Sequence, residues 1–212
     1  MNTEIRDSIA NATVTVRATK NSGQGVLVGG GFILTAAHCL KKETMRKFGI
    51  TLGDAIKHEI KTAAGQILQV TPWAIEPVSD VALLGPMGGQ ECPEMVKALK
   101  TFCLKTKAVP LYLGKLSEEP LPVWIRTHKG GWIHGEVAQY GQCSHRVRIK
   151  AREQIEGGTS GGPIVTEDGE LVGIVSRSSE SWGECFGQIP RPHLTLPAWA
   201  VNVIKSRRLY GF

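Results

Sequence analysis

The sequence predicts an all-β protein built from two small antiparallel barrels, and three observations carry that prediction. Short runs rich in valine, isoleucine, leucine and threonine recur along the 212 residues, cut by turns that bear glycine or aspartate. Helical character is confined to three short stretches, at 5–11, 92–100 and 197–205. The glycine-rich break at 85–89 and the helix after it divide the strand candidates into two sets. A chain of this length can bury a large core, in one domain or in two small ones that share a cleft.

The elements follow in order. After the helix at 5–11, residues 13–18 alternate and are rich in β-branched side chains, as a strand requires; 21–25 reads as a turn. Residues 26–28 and 32–35 flank Gly29-Gly30-Gly31, a tight hairpin whose second strand leads into His38, where small Ala36 and Ala37 leave the imidazole room. Strand candidates at 48–52, 58–61 and 66–70 complete a small barrel together with 78–84, an apolar run that begins just after Asp80. Proline near the start of 92–100 suits a helix. The second set of strands is expected at 109–113, 123–126, 132–137, 146–150, 164–166 and 171–176, the last two bracketing a turn at 167–170, with a last strand near 187–190. The boundaries are then a first barrel over 1–84, a linker over 85–108, a second barrel over 109–194 and a terminal helix over 195–212.

The chemistry concentrates in Glu156-Gly157-Gly158-Thr159-Ser160-Gly161-Gly162-Pro163. Glycines on both sides of a hydroxyl residue let the backbone turn sharply and leave consecutive N–H groups pointing outward beside the hydroxyl. A serine with an ordinary pKa attacks nothing, so such a loop requires a histidine base and a carboxylate elsewhere in the chain. Thr35-Ala36-Ala37-His38-Cys39 supplies the histidine and Ser79-Asp80-Val81-Ala82-Leu83-Leu84 the aspartate. His58, His128, His134, His145 and His193 have no comparable context and read as surface or satisfied core residues. Asp7, Asp54 and Asp168 lack an apolar strand directly behind them.

The order His, Asp, Ser in these three contexts resembles the trypsin/chymotrypsin-like serine proteases. The spacings of 42 and 80 residues are close to, but shorter than, those of the digestive members. The resemblance implies two six-stranded antiparallel barrels with the active site in the cleft between them. It further implies a serine endopeptidase with catalytic His38, Asp80 and Ser160, an oxyanion hole from the N–H groups of Gly158 and Ser160, an acyl-enzyme intermediate, and no cofactor or metal. An extended protein or peptide substrate is expected to add as a strand to Val175, Ser176, Arg177 and Ser178. By offset from the nucleophile, Gln154 and Ile155 fall at the pocket floor, where neither neutralises a basic side chain, so a small or medium neutral residue is expected before the scissile bond. Family zymogens pair a newly cut N-terminus with an aspartate just before the serine. Thr159 stands there instead, and restraint is expected from a regulatory partner, narrow specificity or a rearranging loop.

Two other readings compete. An α/β-hydrolase also carries Gly-x-Ser-x-Gly, but it places the serine first in the chain order. A silent, protease-like peptide-binding module usually lacks a catalytic residue, and none is missing here.

Composition narrows the setting. Apolar residues at 42% and charged residues at 21% describe an ordinary globule, and no apolar run reaches membrane-spanning length. The formal charge of +6 is spread along the chain, and with aromatics at 6% it reads as a solvated surface rather than a nucleic-acid face. The polar start is unlike a secretory signal. Five cysteines, Cys39, Cys92, Cys103, Cys143 and Cys185, lack metal-ligand spacing, and no cysteine precedes Cys39 to make the bridge of secreted relatives. Free thiols and a cytoplasmic location are expected.

Overall fold

The protein is described here from a computed structural model, which covers residues 1–17, 22–40, 57–76, 80–86, 93–114, 119–139, 146–151, 153–178 and 184–188, with Asn202 and Ile204. The chain opens on α1 (Thr3–Ala12), capped by the Asn2 side chain, which accepts from the Ile5 N–H at 2.8 Å. Its buried Ile9 and Ala12 face the core, and the Thr13 hydroxyl donates back to the Ile9 carbonyl at 2.8 Å as the chain straightens.

Six strands follow: β1 (Thr13–Arg17), β2 (Ser22–Val28), β3 (Phe32–Ala36), β4 (His58–Lys61), β5 (Ile67–Glu76) and β6 (Val81–Gly85). All pair antiparallel in the order β1-β2-β3-β6-β5-β4, and β4 returns to β1, closing a six-stranded barrel. Inward residues such as Val16, Phe32, Leu34, Ile60 and Leu83 are fully buried, and burial of this kind supplies most of the driving force. β5 runs beyond the predicted 66–70 because a bulge between Pro72 and Ala74 absorbs a proline that cannot donate to the ladder.

The connecting helix α2 (Pro93–Lys105) is longer than the predicted 92–100 and buries Leu99 and Phe102. The second sheet is β7 (Leu121–Arg126), β8 (Trp132–Gln139), β9 (Arg146–Ala151), β10 (Pro163–Val165), β11 (Leu171–Ser178) and β12 (Glu184–Gln188). Its order is β10-β11-β12-β9-β8-β7, with β7 paired back onto β10 through Ile125 and Trp124.

Two expectations are corrected. Ser22, Gly23, Gln24 and Gly25 belong to β2 rather than to a turn, because small residues let this strand run close under the serine loop. Residues 109–113 form no full strand; they make single bridges, Val109 to Val28 and Leu111 to Leu171, with Pro110 interrupting the donor series. That segment joins the sheets: the Val109 N–H donates to Leu27 O at 2.9 Å and the Tyr112 N–H to Leu171 O at 3.0 Å. The strand expected at 48–52 lies outside the described residues, as does the helix expected at 197–205 apart from Asn202 and Ile204.

Candidate active site

Strand register brings the histidine and the aspartate together. Ala36 at the end of β3 pairs with Val81 at the start of β6, so His38 just beyond one strand meets Asp80 just before the other. His38 sits in a 3₁₀ turn over Ala37–Cys39. Asp80 takes a left-handed backbone conformation, φ 54°, which aspartate tolerates better than most residues. It thereby receives the Ala37 N–H on its carbonyl at 3.0 Å and the His38 N–H on Oδ1 at 2.9 Å. Its Oδ2 lies 2.7 Å from His38 Nδ1.

The serine loop is fixed by its backbone. The Gln24 N–H of β2 donates to Ser160 O at 2.7 Å, and buried Cys39 Sγ approaches the same oxygen at 3.6 Å. The Gly161 N–H donates to Val175 O at 2.7 Å and the Val175 N–H to Gly162 O at 2.9 Å, so the loop continues the β10–β11 pairing. Gly161, φ 79°, passes so close to β2 that a Cβ there would lie 1.9 Å from Gln24 O. Gly158, φ 88°, lies within a turn closed by the Thr159 N–H on Glu156 O at 3.3 Å. Among the described residues neither the Gly158 nor the Ser160 N–H has a partner, and no hydrogen bond joins the Ser160 hydroxyl to His38.

Ser176 acts within the site. The β11–β12 register shifts between Val175 and Arg177, and the bulge turns the Ser176 hydroxyl inward to donate to Asp80 Oδ2 at 2.5 Å. Burial would push the Asp80 carboxyl up. Hydrogen bonds from the His38 ring, the Ser176 hydroxyl and the His38 N–H outweigh it and hold the carboxyl below its ordinary value. The bond to Asp80, aided by neighbouring Cys39, raises His38 above the ordinary histidine value, though 46% of its side chain stays exposed and water screens the pair.

Of the expected pocket residues, Ile155 and Val175 are buried in the core of the second sheet while Gln154 is exposed. Arg177 and Ser178 continue β11 beyond Ser176. Residues that the sequence did not single out also border the loop: Gln24, and His128, which lies against Thr159. Neither belongs to a motif; the register of β2 and the turn after β7 place them there. Among the described residues no His, Cys, Asp and Glu side chains cluster as a metal site, and no helix is long and apolar enough to cross a membrane.

A carboxylate holding an imidazole at the rim of one barrel, beside a glycine-framed serine from the next sheet, is the arrangement of trypsin-like serine peptidases. The sequence matches the trypsin-like peptidase domain family over residues 23–174, well over half its length, and the chain belongs to that family as a serine endopeptidase. Among solved structures, a serine endoprotease from Yersinia pestis is similar with a TM-score of 0.63 at 20% identity, covering 100% of this chain and 68% of that one. An inactive form of Rv3671c from M. tuberculosis gives 0.61 at 14% identity, with 100% and 93% covered. A second inactive-form structure of Rv3671c gives 0.60 at 16%, with 95% and 91% covered. At these identities the likeness establishes the fold. No curated protein matches the sequence.

Proposed function

We propose that the enzyme hydrolyses peptide bonds through an acyl-enzyme formed on Ser160, with His38 as general base and acid and Asp80 as its orienting carboxylate. The observation that carries the reading is the 2.7 Å contact between His38 Nδ1 and Asp80 Oδ2, which leaves Nε2 as the ring nitrogen available to a serine. Ser160 Oγ attacks the scissile carbonyl as its proton passes to Nε2; the tetrahedral oxyanion collapses, and the same proton goes to the leaving amine. Water then repeats the sequence in reverse on the ester. Catalytic hydrogen bonds are often long in empty sites and tighten with substrate, so the Ser160–His38 bond belongs to the complex. The N–H groups of Gly158 and Ser160, unpartnered among the described residues, form the oxyanion hole, each worth about 3–4 kcal/mol of barrier in related hydrolases.

In this reading 1–84 and 109–194 are the two six-stranded barrels, 85–108 links them, and the substrate lies in the cleft between, pairing with the backbone of β11 from Val175 to Ser178. Ser176 contributes backbone there while its hydroxyl serves Asp80. Ile155 and Gln154 give a pocket without a countercharge, favouring a neutral residue before the cut. The enzyme works in a reducing, cytoplasmic setting without a cofactor, held in check by a protein partner, narrow specificity or loop rearrangement. The test is fluorophosphonate labelling of the full chain together with peptide-library cleavage. Labelling and cleavage that vanish in Ser160→Ala and His38→Ala support the reading; an unlabelled, folded wild type would establish a silent binding module instead.

A further inference from the structure

We propose that His128, outside the triad, is a positioning residue for the oxyanion loop, holding the Gly158 N–H in place through Thr159; this rests on the catalytic reading above. Thr159 is completely buried, and a buried hydroxyl needs partners. Among the described residues both are supplied by His128: its backbone N–H donates to Thr159 Oγ1 at 3.4 Å, and its ring Nδ1 lies 3.3 Å from the same oxygen. The ring also borders Gly158, where a Cβ would sit 3.4 Å from His128 Cγ. At its other end Nε2 is 3.9 Å from Glu156 Oε2, an oxygen that Lys129 Nζ holds at 2.6 Å. One imidazole therefore spans the turn from Glu156 to Thr159.

The tautomer follows from the surroundings. The carboxylate beside Nε2 favours the proton there, so bare Nδ1 accepts the Thr159 O–H while Oγ1 accepts the backbone N–H. The ring stands on a fixed base. The turn after β7 is closed by the Thr127 N–H on Gly131 O at 2.9 Å and the Gly130 N–H on Thr127 O at 3.0 Å. Gln24 Nε2 donates to Thr127 O at 3.2 Å while the Gln24 N–H holds Ser160 O at 2.7 Å, so one residue of β2 references both the imidazole and the nucleophile. The backbone bonds of the loop hold Thr159, Ser160 and Gly161, and among the described residues none is made by the N–H of Gly157 or Gly158. Gly157 has open space around its Cβ position, and two adjacent glycines let the 157–158 peptide rotate the Gly158 N–H out of the hole once the Thr159 anchor is lost.

The experiment measures saturable fluorophosphonate labelling of Ser160 in the full chain, separating the maximal rate from the probe's apparent affinity. His128→Leu and Thr159→Val are each expected to lower the maximal rate about 10- to 100-fold, with the probe's affinity nearly unchanged. His128→Asn, whose amide can occupy the Nδ1 position, should keep most of the rate, and the double variant should be no slower than either single one. In ¹⁵N-labelled Ser160→Ala protein, His128 should carry its proton on Nε2, and Thr159→Val should mix the tautomers. Full rate in His128→Leu, equal losses in the Leu and Asn variants, multiplying losses in the double variant, or a change in affinity alone would overturn the proposal. If His128→Leu does not fold, Thr159→Val and the tautomer carry the same decision. A wild type that does not label overturns the catalytic reading; a labelled wild type matched by His128→Leu overturns this inference alone.

Discussion

The Ser176 hydroxyl donates to Asp80 Oδ2 at 2.5 Å, reaching from the second sheet to a residue of the first. With the His38 N–H and ring, it gives the Asp80 carboxylate three hydrogen bonds and ties the two halves of the site together.

Removing that hydroxyl has a predictable sign. In Ser176→Ala the Asp80 carboxylate loses one of the bonds that lower its pKa. A bond to a charged group contributes roughly 1.5–3 kcal/mol, so about a tenfold or larger loss of kcat/KM is expected as His38 loses orientation. A depressed carboxyl pKa contributes stability above the unfolded value that is lost as pH falls through the folded one. The variant should therefore melt lower than the wild type at pH 7 and converge with it in strong acid. Equal melting temperatures at pH 7 would show that the bond contributes nothing.

The His38 shift sets the pH profile. Because Asp80 raises the imidazole pKa, the neutral base appears only as pH climbs above the ordinary histidine range. The rising limb of kcat/KM should lie above pH 6.5, and Asp80→Asn should bring the His38 titration down towards that value while slowing the enzyme roughly 10⁴-fold. The stability contribution has the opposite sense to that of Asp80: it is complete below the unfolded histidine pKa and lost as pH rises through the raised one. A His38 titration seen by NMR that is unmoved in Asp80→Asn would contradict this account.

What the sequence revealed, and what it hid, divides by range of interaction. β4 at His58–Lys61 is legible from alternation alone, and the approach to His38 through the Gly29-Gly30-Gly31 hairpin is legible from turn chemistry. Ser22 to Gly25 misled because a glycine in a strand marks close backbone approach, and what Gly23 approaches, Cys39 and the Ser160 carbonyl, is distant in sequence. Residues 109–113 looked like a strand by composition, but their partners, Val28 and Leu171, belong to different sheets. Ser176 was legible as a residue of the strand at 171–176; its bond to Asp80 depends on a bulge that no local pattern announces. His128 had no motif at all, because its neighbour Thr159 is reached only through the fold.

Gly161 tests the close packing beneath the Ser160 loop. An alanine there combines φ 79° with a Cβ placed 1.9 Å from the Gln24 carbonyl, a main-chain atom that cannot swing aside. Gly161→Ala is expected to cost at least about 2 kcal/mol and to abolish labelling of Ser160, whereas Gly157→Ala, with open space around its Cβ, should leave the fold intact. Denaturant unfolding of both variants checks the contrast, and an unchanged midpoint for Gly161→Ala would refute the close contact.

The thiol beside His38 gives the last test. Cys39 is buried and free, and Gly23 faces it so closely that a Cβ at that position would lie 2.3 Å from Cys39 Sγ and 2.9 Å from Ser160 O. Cys103 is also free, and burial pushes its thiol up to about 11, so it should react slowly in the native protein at neutral pH. After denaturation without reductant, titration is expected to find all five cysteines of the sequence as thiols. The melting temperature should not depend on reductant. Gly23→Ala should lose roughly 1–3 kcal/mol through overpacking against Cys39, and Cys39→Ala in the same chain should restore part of that loss by making room. A count of three or one thiols, or a melting temperature that falls with reductant, would instead reveal a structural bridge and an oxidising compartment.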